Sequence, residues 1–152
     1  MNKFYVAPQV DDTEDNIGRR IFLAGTIDMG NSSDWQNTLI SRLSDDRYQN
    51  LNITIYNPRR DKEFNVDDQE EQIRWELNHL DKADVILVNI LPDSKSPITL
   101  MEIGLYANSG KLVVVCPKEF YRYDNVRIVC EKYNIPLYNS PGQVKITNLI
   151  KK

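Results

Sequence analysis

The chain is poor in the groups that most often announce a function. It carries one histidine, His79, and two cysteines, Cys116 and Cys130, with no Cys-x-x-Cys pair. That donor set argues against a metal site of the zinc type. The cysteines fall in a predicted buried strand and a predicted helix, where reduced thiols act as packing groups in a reducing compartment. No apolar run approaches the roughly 20 residues that span a membrane, and the amino terminus lacks a secretory signal pattern. The expected location is therefore cytoplasmic, with no membrane partner. Positive charge is also short: 19 Lys and Arg stand against 22 Asp and Glu, a net charge of -3. A compact basic pair such as Arg59-Arg60 is too little for a duplex, which argues against nucleic acid as a partner. Internal repeats and low-complexity segments are absent.

What remains is an ordinary globular composition, 41% apolar and 27% charged over 152 residues. Residues 1–152 are enough for one domain with a substantial core, residues 1–18 being peripheral to it. Within those, residues 3–6 can add a short edge strand, and Asp11-Asp-Thr-Glu-Asp15 reads as a solvated acidic loop. Strands are predicted at residues 20–24, 52–56, 84–90, 112–116 and 135–138. The third and fourth are apolar on both faces, as strands of a covered sheet are. Pro136 suits the last to an edge.

Helices alternate with these strands. The first begins at Ser33 in a capping box with Gln36, and Trp35, Leu39 and Leu43 form its stripe. The second covers residues 67–82, with Ile73, Leu77 and Leu80 expected to face inward. The third opens at Ser96-Pro97, a good cap followed by a good first residue, and ends at Gly110. Two more span residues 125–133 and 142–151. The alternation implies an α/β fold: a three-layer α/β/α sandwich on a five-stranded, mostly parallel, Rossmann- or flavodoxin-like sheet.

In such a fold the loops after the first three strands meet on the carboxyl edge. They bring together Gly25, Thr26, Ile27 and Asp28, then Asn57, Arg59, Arg60 and Asp61, then Asp93, Ser94, Ser96 and Glu102. That is a polar, acid-rich crevice suited to a small sugar- or phosphate-bearing ligand. Gly25-x-x-x-x-Gly30 is neither a dinucleotide fingerprint nor a P-loop, and alone reads as a plain connection. The arginine pair either forks onto a carboxylate or phosphate, or is solvated and paired with Asp61. Helical spacing puts Thr99, Glu102 and Tyr106 on one face, with Tyr106 in reach of the Glu102 carboxylate. Glu102 is either a surface glutamate in a good helix-forming position or a carboxylate shielded for chemistry.

Several motifs in order carry a resemblance. Ile21-Phe-Leu-Ala-Gly-Thr-Ile-Asp-Met-Gly30, Asp34-Trp-Gln36 and Asn57-Pro-Arg-Arg-Asp61 come first. Gln72-Ile-Arg-Trp-Glu-Leu77, Ala83-Asp-Val85, Lys95-Ser-Pro-Ile-Thr-Leu-Met-Glu-Ile-Gly-Leu-Tyr106, Val115-Cys-Pro117 and Asn125-Val-Arg-Ile-Val-Cys130 follow. Over residues 19–139 the chain resembles the nucleoside 2-deoxyribosyltransferase-like family, which is related to nucleoside 5'-monophosphate N-glycosidases. The resemblance implies that Glu102 is a nucleophile toward the anomeric carbon and that the sugar passes through a covalent glycosyl-enzyme. It implies Glu76, eight residues before Asp84, as the second acid, at a position where the family often has aspartate. Ser96 falls where the monophosphate hydrolases bind phosphate, whereas Asp28 stands where that branch often has arginine. Further substrate contacts are expected from Thr99 and the crevice residues named above.

The resemblance implies no metal and no organic cofactor. It also implies a homo-oligomer, a dimer or larger, with Tyr121, Tyr123 and Asn125 as plausible donors to a neighbouring pocket. The expected function is thus an N-glycosidic-bond enzyme acting on a (deoxy)nucleoside or its 5'-monophosphate. The rival is a non-catalytic module that binds a nucleotide or an ADP-ribose-like ligand as a sensor.

Overall fold

The computed structural model describes residues 2–14, 18–27, 33–60 and 68–150. In chain order the elements are β1 (Lys3–Val6), β2 (Arg19–Gly25), α1 (Trp35–Leu43), β3 (Ile53–Asn57), α2 (Gln69–Lys82) and β4 (Val85–Asn89). Then come α3 (Pro97–Tyr106), β5 (Leu112–Val115), α4 (Tyr123–Lys132), β6 (Leu137–Tyr138) and α5 (Ile146–Ile150). The strands form one parallel sheet in the order β1-β3-β2-β4-β5-β6. The expected five strands become six, because residues 3–6 do pair along β3, with Lys3 opposite Thr54 and Val6 opposite Asn57. A four-residue strand is too short to show a period, and its partner lies far along the chain. Among the described residues no helix is long and apolar enough to cross a membrane.

Alternation along each strand divides the core into two layers. Phe22, Ala24, Tyr56, Ile86, Val88 and Val114 face Trp75 and Leu80 of α2, Ile103 and Tyr106 of α3, and Val126 and Cys130 of α4. Ile21, Leu23, Ile55, Leu87 and Val113 face Leu43 of α1 and Leu149 of α5, with Trp35, Leu39 and Ile40 packed alongside. Cys116 and Cys130 are free and buried in the first layer, and burial pushes their thiols up to about 12 and about 11. Cys116 sits just past the end of β5 rather than within it.

Three local expectations are corrected. On α2, Ile73 and Leu77 point outward, 48% and 39% exposed, while Gln72, Trp75, His79 and Leu80 are buried. The inward stripe has the right period but holds polar residues, so counting apolar residues picks the wrong face. On α1 the cap is Asp34, whose carboxylate accepts from the Asn37 N–H at 3.1 Å. Gln36 turns inward and is fully buried instead of closing a capping box with Ser33.

The third correction concerns the acidic run. Asp11 is only 4% exposed, although its neighbours Asp12 and Glu14 lie in solvent. Its carboxylate accepts from the Thr13 hydroxyl and N–H and from the Tyr56 hydroxyl. Arg20 and Lys82 lie 3.5 and 3.8 Å from it. Its backbone N–H donates to His79 Nε2, while His79 Nδ1 lies 2.7 Å from the Trp75 carbonyl, so the ring is neutral with its proton on Nδ1. Asp11 therefore fastens the segment after β1 across α2. Apart from neighbouring Thr13, its partners come from β2, β3 and α2, elements remote in the chain.

The strand order reverses between β2 and β4, and this places the site. β2 leads into α1 on one face of the sheet; β4 leads into α3 on the other. The two exits diverge and leave a crevice at the carboxyl edge. Gly25 closes the approach there. Its φ is +130°, and a Cβ at this point would lie 2.1 Å from the Asn89 carbonyl oxygen. Only glycine permits both.

Candidate active site

Beneath the crevice, α2 and α3 run side by side. Thr99, Glu102 and Tyr106 share the buried face of α3, as their spacing requires. Glu102 is 7% exposed, and among the described residues its carboxyl makes no hydrogen bond or ion pair. Burial pushes its pKa up to about 8, and the charge of Glu76 on α2 adds to the shift. The charge that acts on Glu102 thus comes from the neighbouring helix α2.

Glu76 is half-buried and is raised to about 7, again chiefly by burial. Two polar neighbours oppose that rise, the side-chain amide of Gln72 one turn earlier on α2 and the positive charge of Arg60. Arg60 is held in place by Gln72 and by Glu71, whose carboxylate accepts from it at 2.9 Å. Gln72 in turn donates to the Pro58 carbonyl at 2.8 Å, tying the exit of β3 to α2. The pair therefore consists of one carboxyl with a cation and an amide beside it, and one with neither. Two interacting carboxyls pass through a singly protonated form, and here the positive charge of Arg60 favours the ionised form of Glu76.

Tyr106 does not reach Glu102. Its hydroxyl donates to Asp81 Oδ1 at 2.6 Å, which together with burial raises its own pKa.

At the top of the crevice three buried hydroxyls converge. Thr26 Oγ1 lies 2.7 Å from Ser96 Oγ and 3.1 Å from Ser94 Oγ, and Ser94 Oγ lies 2.8 Å from Ser96 Oγ. Thr26 also accepts from the Leu91 N–H, and its carbonyl accepts from Trp35 Nε1. This cluster stitches the first turn of α1 to the start of α3. Ser96 occupies the cap position of α3 in left-handed backbone (φ 47°) and makes no side-chain cap bond. Its role as a simple capping side chain is therefore corrected: the hydroxyl bonds across the crevice instead.

The other expected residues divide between the two faces. Gly25 and buried Thr26 lie at the end of β2, followed by half-buried Ile27; buried Ser96, Thr99 and Glu102 lie at the start and on the inner face of α3, and half-buried Glu76 lies on α2. Arg60 leans toward α2 and Glu76. Arg59 turns to the start of α1, where it donates to the Ser33 carbonyl at 2.8 Å and lies 3.9 Å from Asp34. Asn57 is buried at the end of β3 and accepts from the Arg59 N–H. Asp93 stands exposed in the turn after β4. Asp28 and Asp61 lie outside the described residues.

Gln72 escaped the sequence reading as a site residue. Its signal was its place one turn before Glu76 on the same helix face. No group of three or more His, Cys, Asp or Glu side chains suited to a metal ion occurs among the described residues.

No curated protein matches the chain. The family model described as nucleoside 2-deoxyribosyltransferase like does match, over residues 18–120. That span runs from the start of β2 past β5 and includes Glu76, Glu102 and the loops after β2, β3 and β4. The chain belongs to the nucleoside 2-deoxyribosyltransferase-like family.

Proposed function

We propose that the protein cleaves or transfers the base of a (deoxy)nucleoside or its 5'-monophosphate through a covalent glycosyl-Glu102 intermediate. One observation carries the reading: buried Glu102 on α3, its pKa raised by burial and by half-buried Glu76 on α2, lies near the switch point in a chain of this family. In the first step the shared proton rests on Glu76, and the freed Glu102 carboxylate attacks C1' of the sugar. The C1'–N bond breaks, its electron pair stays on the base, and Glu76 supplies the proton that the base takes up. In the second step water or another base attacks C1' while the ionised Glu76 accepts its proton. The C1'–O bond to Glu102 breaks and the carboxylate is restored. Water as acceptor makes the enzyme a hydrolase; a second base makes it a transferase.

Burial of Glu102 supports this role, because a poorly solvated carboxylate needs no water stripped from it to reach the sugar. Gly25, Thr26, Ile27, Asn57, Arg59, Arg60, Asp93, Ser96 and Thr99 are proposed to surround the ligand, with Asp28 beside them in sequence. The two buried, free thiols fit a cytoplasmic setting.

The working form is proposed to be a homo-oligomer, a dimer or larger. Ile98, Met101 and Leu105 on α3, Ile73 and Leu77 on α2, and Ile128 on α4 are exposed on one side of the molecule. Between α3 and α4 runs a groove of about 320 Å³ that includes Gly104, where an added Cβ meets nothing within 4 Å. Exposed Tyr121 and Asn125 line the same groove, whereas Tyr123 is half-buried and its hydroxyl accepts from Asn139.

Chromatography of nucleosides and monophosphates incubated with the protein tests the reading. Free base or a new nucleoside is expected from the wild type and neither from Glu102→Ala. Undiminished base release by that variant removes Glu102 from the mechanism. Tight binding of an intact nucleotide without any product makes the protein a sensor.

A further inference from the structure

Three side chains on one face of α2 clasp the backbone of the segment that follows β1. Trp75 Nε1 donates to the Gln9 carbonyl at 2.7 Å, His79 Nε2 accepts from the Asp11 N–H at 3.1 Å, and Lys82 Nζ donates to the Asp11 carbonyl. An indole N–H and an ammonium only donate, so two of these contacts keep one polarity at any ordinary pH. The imidazole alone can change from acceptor to donor. Its Nδ1 lies 2.7 Å from the Trp75 carbonyl, which only accepts, so the ring proton is on Nδ1 and the Nε2 lone pair receives the Asp11 N–H. The ring is 3% exposed, stacked on Trp75 at 4.1 Å and edge-on to Tyr56 at 4.8 Å, which holds it in that orientation.

We propose that His79 is a pH-sensitive latch: a proton and the Asp11 N–H compete for its Nε2 lone pair, and protonation of the ring releases residues 9–13 from α2. A second proton has only Nε2 to occupy, where it sets N–H against N–H. The Asp11 carboxylate attracts a charged ring, but Arg20 of β2, Lys82 of α2 and the Tyr56 hydroxyl of β3 already share that carboxylate. Burial holds the ring below the ordinary histidine value, against the Trp75 carbonyl and the Asp11 charge, and the Lys82 charge adds to the lowering. The docked segment is therefore fully stabilised above about pH 6.5, and that contribution is lost as the pH falls through the lower folded value. Release uncovers the Trp75–His79 face of the helix that carries Glu76. The latch does not depend on the glycosidic reading.

Amide hydrogen exchange followed by NMR tests it without turnover. In wild type the protection factor of the Asp11 amide is expected to fall by up to about tenfold per pH unit below about pH 6.5, while Val88 of β4 stays better protected. In His79→Gln, whose side-chain oxygen can accept from the same N–H but takes up no proton, Asp11 protection is expected to be flat from pH 8 to 5. An equal fall in both proteins places the loss elsewhere and overturns the proposal. A common exchange rate for Asp11 and Val88 in wild type means unfolding of the whole molecule and overturns it too. If His79→Gln does not fold, wild type decides, because the only histidine in the chain gives a single imidazole resonance. An imidazole that titrates while Asp11 keeps its protection shows proton and segment bound together, and the latch fails.

Discussion

Asp11 and Glu102 are both buried carboxyls on the α2 side of the sheet, and their surroundings are opposite. Asp11 has the hydroxyls of Thr13 and Tyr56, the Thr13 N–H, and the cations Arg20 and Lys82 around it. Burial alone would raise its pKa, yet those hydrogen bonds and charges hold the carboxyl well below the usual range. Glu102 has no such partner among the described residues, and its nearest charge is another glutamate. An unpaired buried carboxyl costs stability in its ionised form, whereas a paired one is ionised and structural. Burial with partners makes a fastening; burial without them makes a reactive group. The first region secures the amino-terminal segment against α2, and the second presents an acid to a crevice.

The contrast can be broken most sharply by removing each acid. Glu102→Gln is expected to lower base release on the order of 10⁴-fold or more, as loss of a covalent nucleophile does. The same variant is expected to be at least as stable as wild type in urea at pH 8. Asp11→Ala is expected to cost about 3 kcal/mol in the same urea titration, since it removes the buried carboxylate that Tyr56, Thr13, Arg20 and Lys82 share. A stable, fully folded Asp11→Ala, or a Glu102→Gln that loses as much stability as it does activity, erases the distinction.

The two acids also pull the pH dependence of stability in opposite directions. Glu102 has a folded pKa near 8, above the unfolded value of about 4.3. Its contribution is fully present below about pH 4.3 and is lost as pH rises through about 8. Asp11 has a folded pKa below its unfolded value of about 3.9, so its contribution is present above that pH and is lost in stronger acid. Urea midpoints measured from pH 2 to 9 are expected to lose part of their alkaline decline in Glu102→Gln, the rest belonging to Glu76, and part of their acid decline in Asp11→Ala. Tyr106→Phe gives the smallest effect, about 1 kcal/mol for one hydrogen bond to Asp81. Base release is expected to be retained there, because Tyr106 does not contact Glu102 through its hydroxyl.

The frame of the fold was legible because it is written in short, local patterns. Apolar runs such as Val85–Asn89, buried on both faces, announce covered parallel strands, and the cap-and-proline start of α3 locates that helix to the residue. Glu102 could be singled out because α3 opens directly after such a strand. The partners of each acid were not legible, because they come from elements remote in sequence. Asp11 looks like any member of an acidic run until Arg20, Tyr56, His79 and Lys82 close around it. The buried side of α2 was misread for a related reason: Gln72 and His79 occupy core positions, and Glu76 lies beside them. Polar groups serving the site and the fastening break the hydrophobic count there.

The most direct measurement is the mass of the protein itself. Wild type quenched in acid during reaction with a deoxynucleoside, then digested and mapped, is expected to carry a deoxyribosyl group on the peptide containing Glu102. The mass is expected to be absent from Glu102→Gln. Rapid base release with no adduct on that peptide, or an adduct on another residue, contradicts the proposed nucleophile.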